Sequence, residues 1–414
     1  MTRIETRLTS QWIADRDLEN PNIAPELVDL ILLTAREASA SDIHLQPLKD
    51  AWDLSYRIDG VLRGAGPIPK SLGTVLVARM KVLASLLTYR TDIPQEGRMP
   101  VEKAGGEMRL STFPTLYGER AVVRLFSRNG QYERLDDLNM PSDVVDELGR
   151  LLQETSGAVL FVGPAGSGKT TSAYACMRCL AGPNVLGDEG EYSSVRRSLV
   201  SIEDPIEAEI EGVAQSQVDS RVDLSLSTGL RFLMRQDPEA ILVGEIRDRE
   251  TAEAAMQASL TGHLLLSTFH AGSAAEAISR LSELGVEPFL LRSGLLAIVC
   301  QRLVRQLCSC AEPDESESFL NIDGPILRPV GCDKCRGTGY DGRRPIVELL
   351  TVQRTNLGRA ILSRRESDVL EGLAVEQGMI SRWTRARDAV KDGTTDPMEI
   401  VRVFGPRVHE MGLS

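Results

Sequence analysis

The chain lacks any segment built to enter a membrane. No uncharged apolar run approaches the roughly 20 residues that a spanning helix needs, and the N-terminal stretch MTRIETRLTSQWIADRDLEN carries charge throughout, without the apolar centre of a secretory signal. A soluble, cytoplasmic protein is expected. Excess positive charge is missing too: 47 Lys and Arg stand against 59 Asp and Glu, a net charge of −12. That balance excludes a protein whose affinity comes from neutralising a nucleic-acid backbone, so no nucleic-acid partner is expected. The local basic runs at Arg364–Arg365 and Arg382–Arg387 read as solvated helix faces. Seven cysteines in a reducing compartment do not make a disulfide framework, so a cluster of them reads as a metal site or as chance. What remains is room: 414 residues suffice for two to three domains, each with its own core.

The most informative stretch is AVLFVGPAGSGKTT, from Ala158 to Thr171. Five apolar residues read as a buried parallel strand, and the glycine-rich turn after them opens into the helix-forming run TSAYACMRCL. Gly163, Gly166 and Gly168 let the backbone turn past Pro164 so that successive N–H groups, those of Ala165, Ser167 and their neighbours, point at nucleotide phosphates. Lys169 adds a positive charge on those phosphates, Thr170 offers a hydroxyl to Mg²⁺, and Thr171 continues the helix whose positive end faces the anion. Nucleotide binding follows from the pattern.

Upstream, ELVDLILLTAREA places Leu27, Leu30, Ile31 and Ala35 on one helical face, and SDIHLQP and DLSYRIDGVLR then alternate as a pair of strands turning near Leu48–Ala51. A long amphipathic helix is expected through SLGTVLVARMKVLASLL, with Leu76, Met80, Leu83 and Leu87 inward, followed by short strands around 99–101, 108–114 and 121–126. Arg98, Arg109, Arg120 and Arg124 lie in these turns and strands. They read either as solvated charges or as groups that reach a bound phosphate, as arginine fingers do. Residues 129–142 are polar and turn-rich and read as a linker.

Downstream, the strand SLVSIEDP (198–205) ends in Glu203, Asp204 and Glu207, which places carboxylates at the edge of the sheet where α/β folds bind ligands. One of them can orient an attacking water. A second apolar strand, AILVGE (240–245), ends in Glu245, an acid suited to hold Mg²⁺ opposite Thr170. Asp248 is an N-cap candidate for RETAEAAMQASL, and the strand HLLLSTFH carries His263 and His270 near its ends.

GPAGSGKTT, SIEDPIE, LRFLMRQDPEAILVGEIRDRETAEAA and SLTGHLLLSTFHAGSA closely resemble, in order, the Walker A, Asp box, Walker B and His box of the type II secretion and type IV pilus assembly ATPases. ASDIHLQP, RIDGVL, PQEGR and RLSTFPTLYGERAVVRLF look like the second N-terminal domain of that family. The resemblance implies an α/β fold: a RecA-like P-loop NTPase domain (143–350), a smaller PAS-like α+β domain (25–127) after an N-terminal extension (1–24), a linker (128–142) and a helical C-terminus (351–414). It implies ATP as substrate, a homohexamer, and peripheral association with the inner face of the cytoplasmic membrane through a platform protein. By position it makes Glu207 the water-activating carboxylate, Glu245 the magnesium-side acid and His270 a γ-phosphate sensor, with Glu203 in the same acidic box. Arg98, Arg109, Arg120 and Arg124 fall on family arginines. Two departures are expected: a surface loop at 182–197 longer than usual, and a first, membrane-docking domain that is absent or vestigial.

Cys308, Cys310, Cys332 and Cys335 form CxC and then, beyond a polar loop, CxxC. Two thiolate pairs flanking a loop suit a tetrahedral Zn²⁺. The family usually has CxxC in both places, so the shorter pair leaves open a strained bite or a position left to water. Cys176 and Cys179 sit in the helix after the phosphate loop and read as core thiols. The conjunction points to an assembly ATPase, with a retraction motor of the same superfamily or a nucleotide-binding scaffold as the alternatives.

Overall fold

The computed structural model describes residues 12–13, 16–18, 20, 22–101, 106–125, 132, 134–182, 197–314, 326–352 and 356–405. Two compact units emerge: Met1–Asn129 with Val330–Gly342, and Gly130–Pro329 with Arg343–Ser414.

In the first unit, helix α1 (Ile23–Glu37) buries Ile23, Leu27 and Ile31 at helical spacing. Strands β1 (Asp42–Pro47), β2 (Ala51–Ile58) and β3 (Val61–Pro69) follow, then helix α2 (Lys70–Leu83) and strands β4 (Gln95–Val101), β5 (Gly106–Thr115) and β6 (Gly118–Leu125). They form an antiparallel sheet in the order β3-β2-β1-β6-β5-β4. The strand expected through DLSYRIDGVLR is in fact two. Asp59 and Gly60 both take positive φ (48° and 77°), which suits a two-residue hairpin turn and pairs Ile58 with Val61. Helix α2 buries Leu76 and Met80 but stops at Leu83, so Leu87 lies outside it and is exposed, contrary to the inward face expected of it. Gly73 sets how closely α2 approaches the sheet, since a Cβ there would sit 2.1 Å from the Trp52 ring.

The described part of the second unit begins with Tyr132 and Arg134. The part of the expected 128–142 linker that is described is folded, with a 3₁₀ turn at Leu135–Leu138 and with Leu135, Leu138 and Met140 buried. Its apolar residues outweigh its turn composition. Helix α3 (Ser142–Leu151) leads to β7 (Gly157–Val162), α4 (Lys169–Ala181), β8 (Leu199–Glu203), β9 (Ala214–Gln217), α5 (Leu226–Leu233), β10 (Ala240–Val243), α6 (Arg249–Leu260), β11 (Leu264–Phe269), α7 (Ala274–Glu283) and α8 (Pro288–Gly294). Strands β12 (Leu295–Leu307), β13 (Glu312–Asp314), β14 (Ile326–Arg328) and β15 (Tyr340–Thr351) follow, and helices α9 (Asn356–Leu362), α10 (Ser367–Glu376), α11 (Arg382–Lys391) and α12 (Pro397–Phe404) complete it. The loop expected at 182–197 lies almost entirely outside the described residues.

The main sheet has the order β15-β12-β7-β11-β10-β8-β9, and the pairs from β12 through β9 are parallel. Strands β7, β8, β10 and β11 are buried at every position because both faces of the sheet are covered there. Ala158, Leu160 and Val162 of β7 join Ile202, Val243 and the inner sides of α6 and α7 in one core. Val159 and Phe161 join Leu242, Leu266 and residues of α3 and α4 in the other. Each fully buried side chain of this size contributes about 1.5–3 kcal/mol. Asp248 caps α6 as expected, its carboxylate accepting from Thr251 N at 2.8 Å.

The basic run at 382–387 departs from the reading as a solvated face. Arg382 is largely buried and binds both Glu348 and Glu371 at 3.0 Å, and Arg385 pairs with Asp143, whereas Arg387 is exposed. Arg382 and Arg385 are three apart on α11 and share its inner face, where acids from other elements meet them.

Candidate active site

The loop between β7 and α4 is shaped by its glycines. Gly163 has φ 148°, and a Cβ on it would lie 2.4 Å from the Gln301 carbonyl oxygen and 2.5 Å from Ser167 Oγ. Gly166 meets nothing within 4 Å and is required by its φ of 73° alone. Pro164, Ala165 and Gly166 are exposed, Gly168 leads into α4 at φ 90°, and Thr171 is half-buried on its first turn. Lys169 opens α4. Its buried Nζ donates to the carbonyls of Gly163 and Pro164, each at 2.9 Å, so it spans the loop from within. Burial holds its ammonium below the ordinary lysine range, with the Glu245 carboxylate pulling the other way. Ser167 Oγ is buried without a hydrogen-bond partner among the described residues, a polar atom turned into a cradle that suits a phosphate. Gln301 of β12 braces the loop, donating to Ser167 O at 2.8 Å and accepting from Ser172 Oγ at 3.0 Å. The sequence did offer a signal for it, as the one amide in the run LLAIVCQRL.

The carboxylates gather at the C-terminal ends of the parallel strands, beside this loop. Strand β11 lies between β7 and β10, so His270, just beyond its C-terminal end, stands between the phosphate loop and Glu245. His270 Nε2 is 2.7 Å from Glu245 Oε1, and Arg247 Nε donates to Glu245 Oε2 at 2.5 Å. Arg247 also reaches Asp204 at 3.5 Å. His263 sits at the opposite end of β11, where its Nδ1 is 3.1 Å from Ala258 O and 3.2 Å from Thr261 Oγ1. It belongs to the end of α6, away from the loop edge.

Glu203 and Glu207 part company. Glu207 is exposed, and its Oε1 lies 3.4 Å from Thr170 Oγ1. Glu203 is 1% exposed. It accepts from Ser201 Oγ at 2.6 Å, Gln215 Nε2 at 3.1 Å and, through a very short bond, the Tyr174 hydroxyl. The same hydroxyl accepts from the Glu207 amide at 3.1 Å. Tyr174 was not singled out from the sequence, although its position four residues after Thr170 puts both on one face of α4.

The arginines of the first unit share one face of its sheet. Arg98 pairs in register with Arg109, Arg109 with Arg124, Arg124 with Asp42 and Asp42 with Arg57. Arg124 Nε binds Asp42 at 3.1 Å, Arg57 reaches it at 3.5 Å and Arg109 binds Glu96 at 3.2 Å. Arg120, four residues before Arg124, is on the same face, with Nη2 3.3 Å from His44 Nδ1. Burial, then the charge of Arg57, holds His44 below the ordinary histidine value. Asp42, His44 and Arg57 were not singled out from the sequence, because strand pairing alone brings them beside the arginines.

The sulfurs of Cys308, Cys310, Cys332 and Cys335 all lie within 4.8 Å of one another. The shorter CxC pair therefore reaches the common centre. Cys335 Sγ accepts from the amides of Cys332 at 3.1 Å and Gly339 at 3.2 Å and lies 3.8 Å from Cys332 Sγ. Cys176 is fully buried, as expected of a core thiol, and burial pushes its pKa up; Cys179 is half-buried.

Residues 17–402 match the family described as Type II/IV secretion system protein. The chain is 40% identical over 410 residues to the putative type II secretion system protein E of Escherichia coli K12, covering 96% of this chain and 80% of that protein. It is 39% identical over 399 residues to the type II secretion system ATPase E of Vibrio cholerae, covering 93% and 76%. Its fold is similar to the Legionella pneumophila ATPase DotB (TM-score 0.65, 20% identity, 92% of this chain and 96% of that one). It is also similar to the pilus retraction motor PilT (TM-score 0.53, 23% identity, 91% and 98%).

Proposed function

The chain belongs to the type II/IV secretion system protein family, as a type II secretion ATPase, and from that premise we propose that it works as a homohexamer, hydrolysing ATP to drive pseudopilus or pilus assembly. The likeness to the retraction motor is one of fold, whereas the relatives at 39–40% identity are named for type II secretion, which favours assembly over retraction. Family membership also supports a place at the inner face of the cytoplasmic membrane, reached through a platform protein. The division into a smaller N-terminal domain and an ATPase domain belongs to the same reading.

The roles at the site follow from its chemistry. Amides of the phosphate loop and Lys169 cradle the β- and γ-phosphates, and His270, held by Glu245, meets the γ-phosphate from the next strand. The Thr170 hydroxyl and Glu245 would hold Mg²⁺, which supplies charge neutralisation at the phosphates. Glu207 orients the attacking water and takes up its proton. The arginine row of Arg98, Arg109, Arg120 and Arg124 serves phosphate charge, a reading supported by so many guanidinium groups on one sheet face. The four cysteines would hold Zn²⁺, which neutralises the thiolates and cross-links their segments.

The observation that carries the catalytic reading is the position of Glu207, an exposed carboxylate 3.4 Å from the hydroxyl at the start of the phosphate-loop helix. Glu207→Gln is expected to keep nucleotide affinity within a few-fold while turnover falls by about a hundredfold or more. Steady-state ATPase rates beside a fluorescent-nucleotide titration check this, and near-normal turnover removes Glu207 from the role.

A further inference from the structure

Glu203 and Glu207 close the same acidic box, yet only one of them is open to solvent. Glu203 is buried at the end of β8 and takes three side-chain donors, from Ser201, Gln215 and Tyr174. A buried carboxylate that takes three side-chain donors is an anchor, held by its partners and shielded from solvent.

What it anchors is the turn carrying Glu207. The Tyr174 hydroxyl has one proton, and its bond to Glu203 uses it. The oxygen then accepts from the Glu207 amide at 3.1 Å, so the chain runs in one direction, from amide to hydroxyl to carboxylate. Bonds in such a series polarise and strengthen one another. Gln215 ties the far side of the same turn to the same acid. Its Nε2 donates to Glu203 and, at 3.0 Å, to Ala208 O, while its Oε1 accepts from Ile210 N at 2.7 Å. Thr170, one helical turn before Tyr174, meets the Glu207 side chain.

We propose that Tyr174 is the positioning residue of the reaction. Its hydroxyl, fixed by the buried Glu203, holds the backbone of Glu207, so that the water-orienting carboxylate is hung from the same helix that begins at the phosphate loop. Thr170 and Tyr174 together grip Glu207 by side chain and by backbone, which fixes its distance from the loop that binds the nucleotide. Tyr174 touches neither substrate nor water. Because it is 4% exposed, burial raises the phenol above the ordinary tyrosine range and keeps it the proton donor to Glu203.

The proposal rests on Glu207 as the water-activating group, and the experiment separates the two. Steady-state kinetics and nucleotide affinity are measured on the full-length protein and on Tyr174→Phe, Glu207→Gln and the double variant. Phe keeps the ring and loses only the hydroxyl. The expected result for Tyr174→Phe is a fall in kcat of about ten- to a hundredfold, with KM and affinity within about threefold. The double variant is then no slower than Glu207→Gln alone, because the hydroxyl acts only through Glu207. Wild-type kcat in Tyr174→Phe beside a silent Glu207→Gln overturns the positioning role and leaves the catalytic reading standing. Multiplicative losses in the double variant, or a loss confined to KM, overturn it equally. An active Glu207→Gln overturns the catalytic reading itself, and the positioning role with it. If Tyr174→Phe fails to fold because Glu203 has lost a donor, Tyr174→Phe combined with Glu203→Gln removes the buried charge, and the same kcat and KM criteria apply to it.

Discussion

Among the described residues, Lys169 Nζ donates to the carbonyls of its own loop, Gly163 and Pro164, and sits where phosphate oxygens would compete for the same protons. A charge that meets phosphate in both the ground state and the transition state contributes to binding and turnover alike. Lys169→Ala is therefore expected to weaken nucleotide affinity by about ten- to a hundredfold, the worth of one charge-assisted hydrogen bond, with kcat/KM falling at least as far. Titration with a fluorescent nucleotide beside ATPase rates checks it. Retained activity would remove the loop from its role. At this scale most of the site was legible. Lys169 and Thr170 were read from the spacing of the phosphate loop and Glu207 from the family resemblance, but the burial of Glu203 was hidden, because Ser201, Gln215 and Tyr174 reach it from three separate elements.

The elements owe their placement to charges the sequence disguises. Helix α12 is fastened by Glu399, fully buried, which accepts from Arg305 N, Nε and Nη2 at 2.9, 3.0 and 2.7 Å and from Arg402 Nε and Nη2 at 2.7 and 2.6 Å. Burial pushes its carboxyl up, but the hydrogen bonds from Arg402 and Arg305 outweigh it and hold the pKa below the ordinary glutamate value. A depressed carboxylate contributes stability that is complete above its unfolded value of 4.5 and is lost as pH falls through the lower native value. Glu399→Gln is expected to cost about 3–5 kcal/mol at neutral pH, and the gap from wild type should narrow only below about pH 4. Urea midpoints at pH 7 and at acid pH measure both. An equal gap at every pH would mean that packing, not charge, fastens the helix. The basic run on α11 carries the same lesson, since composition cannot tell a solvated arginine from one that meets Glu348 and Glu371.

For the whole molecule, the cysteine centre is tested by the metal it carries. Four thiolates within 4.8 Å repel one another unless a cation sits among them, so metal analysis of protein purified without added zinc should find about one Zn²⁺ per chain. Cys332→Ser is expected to lower that content and the thermal midpoint while leaving nucleotide affinity within a few-fold. Metal near zero with all four thiols readily alkylated would show that the centre is not a zinc site.

The phosphate loop, the apolar strands β7, β8, β10 and β11 and the family were legible in the sequence alone, because each depends on residues close together in the chain: a glycine pattern, an apolar run, a cap such as Asp248. Three further features were decided only by the tertiary structure. The alternation of β7 between two cores requires helices packed on both faces. The arginine row requires the register of β4, β5, β6 and β1. The difference between Glu203 and Glu207 requires knowing which carboxylate the chain buries, and four residues of sequence separate an anchor from a group open to water, because desolvation is a property of the surroundings and not of the residue.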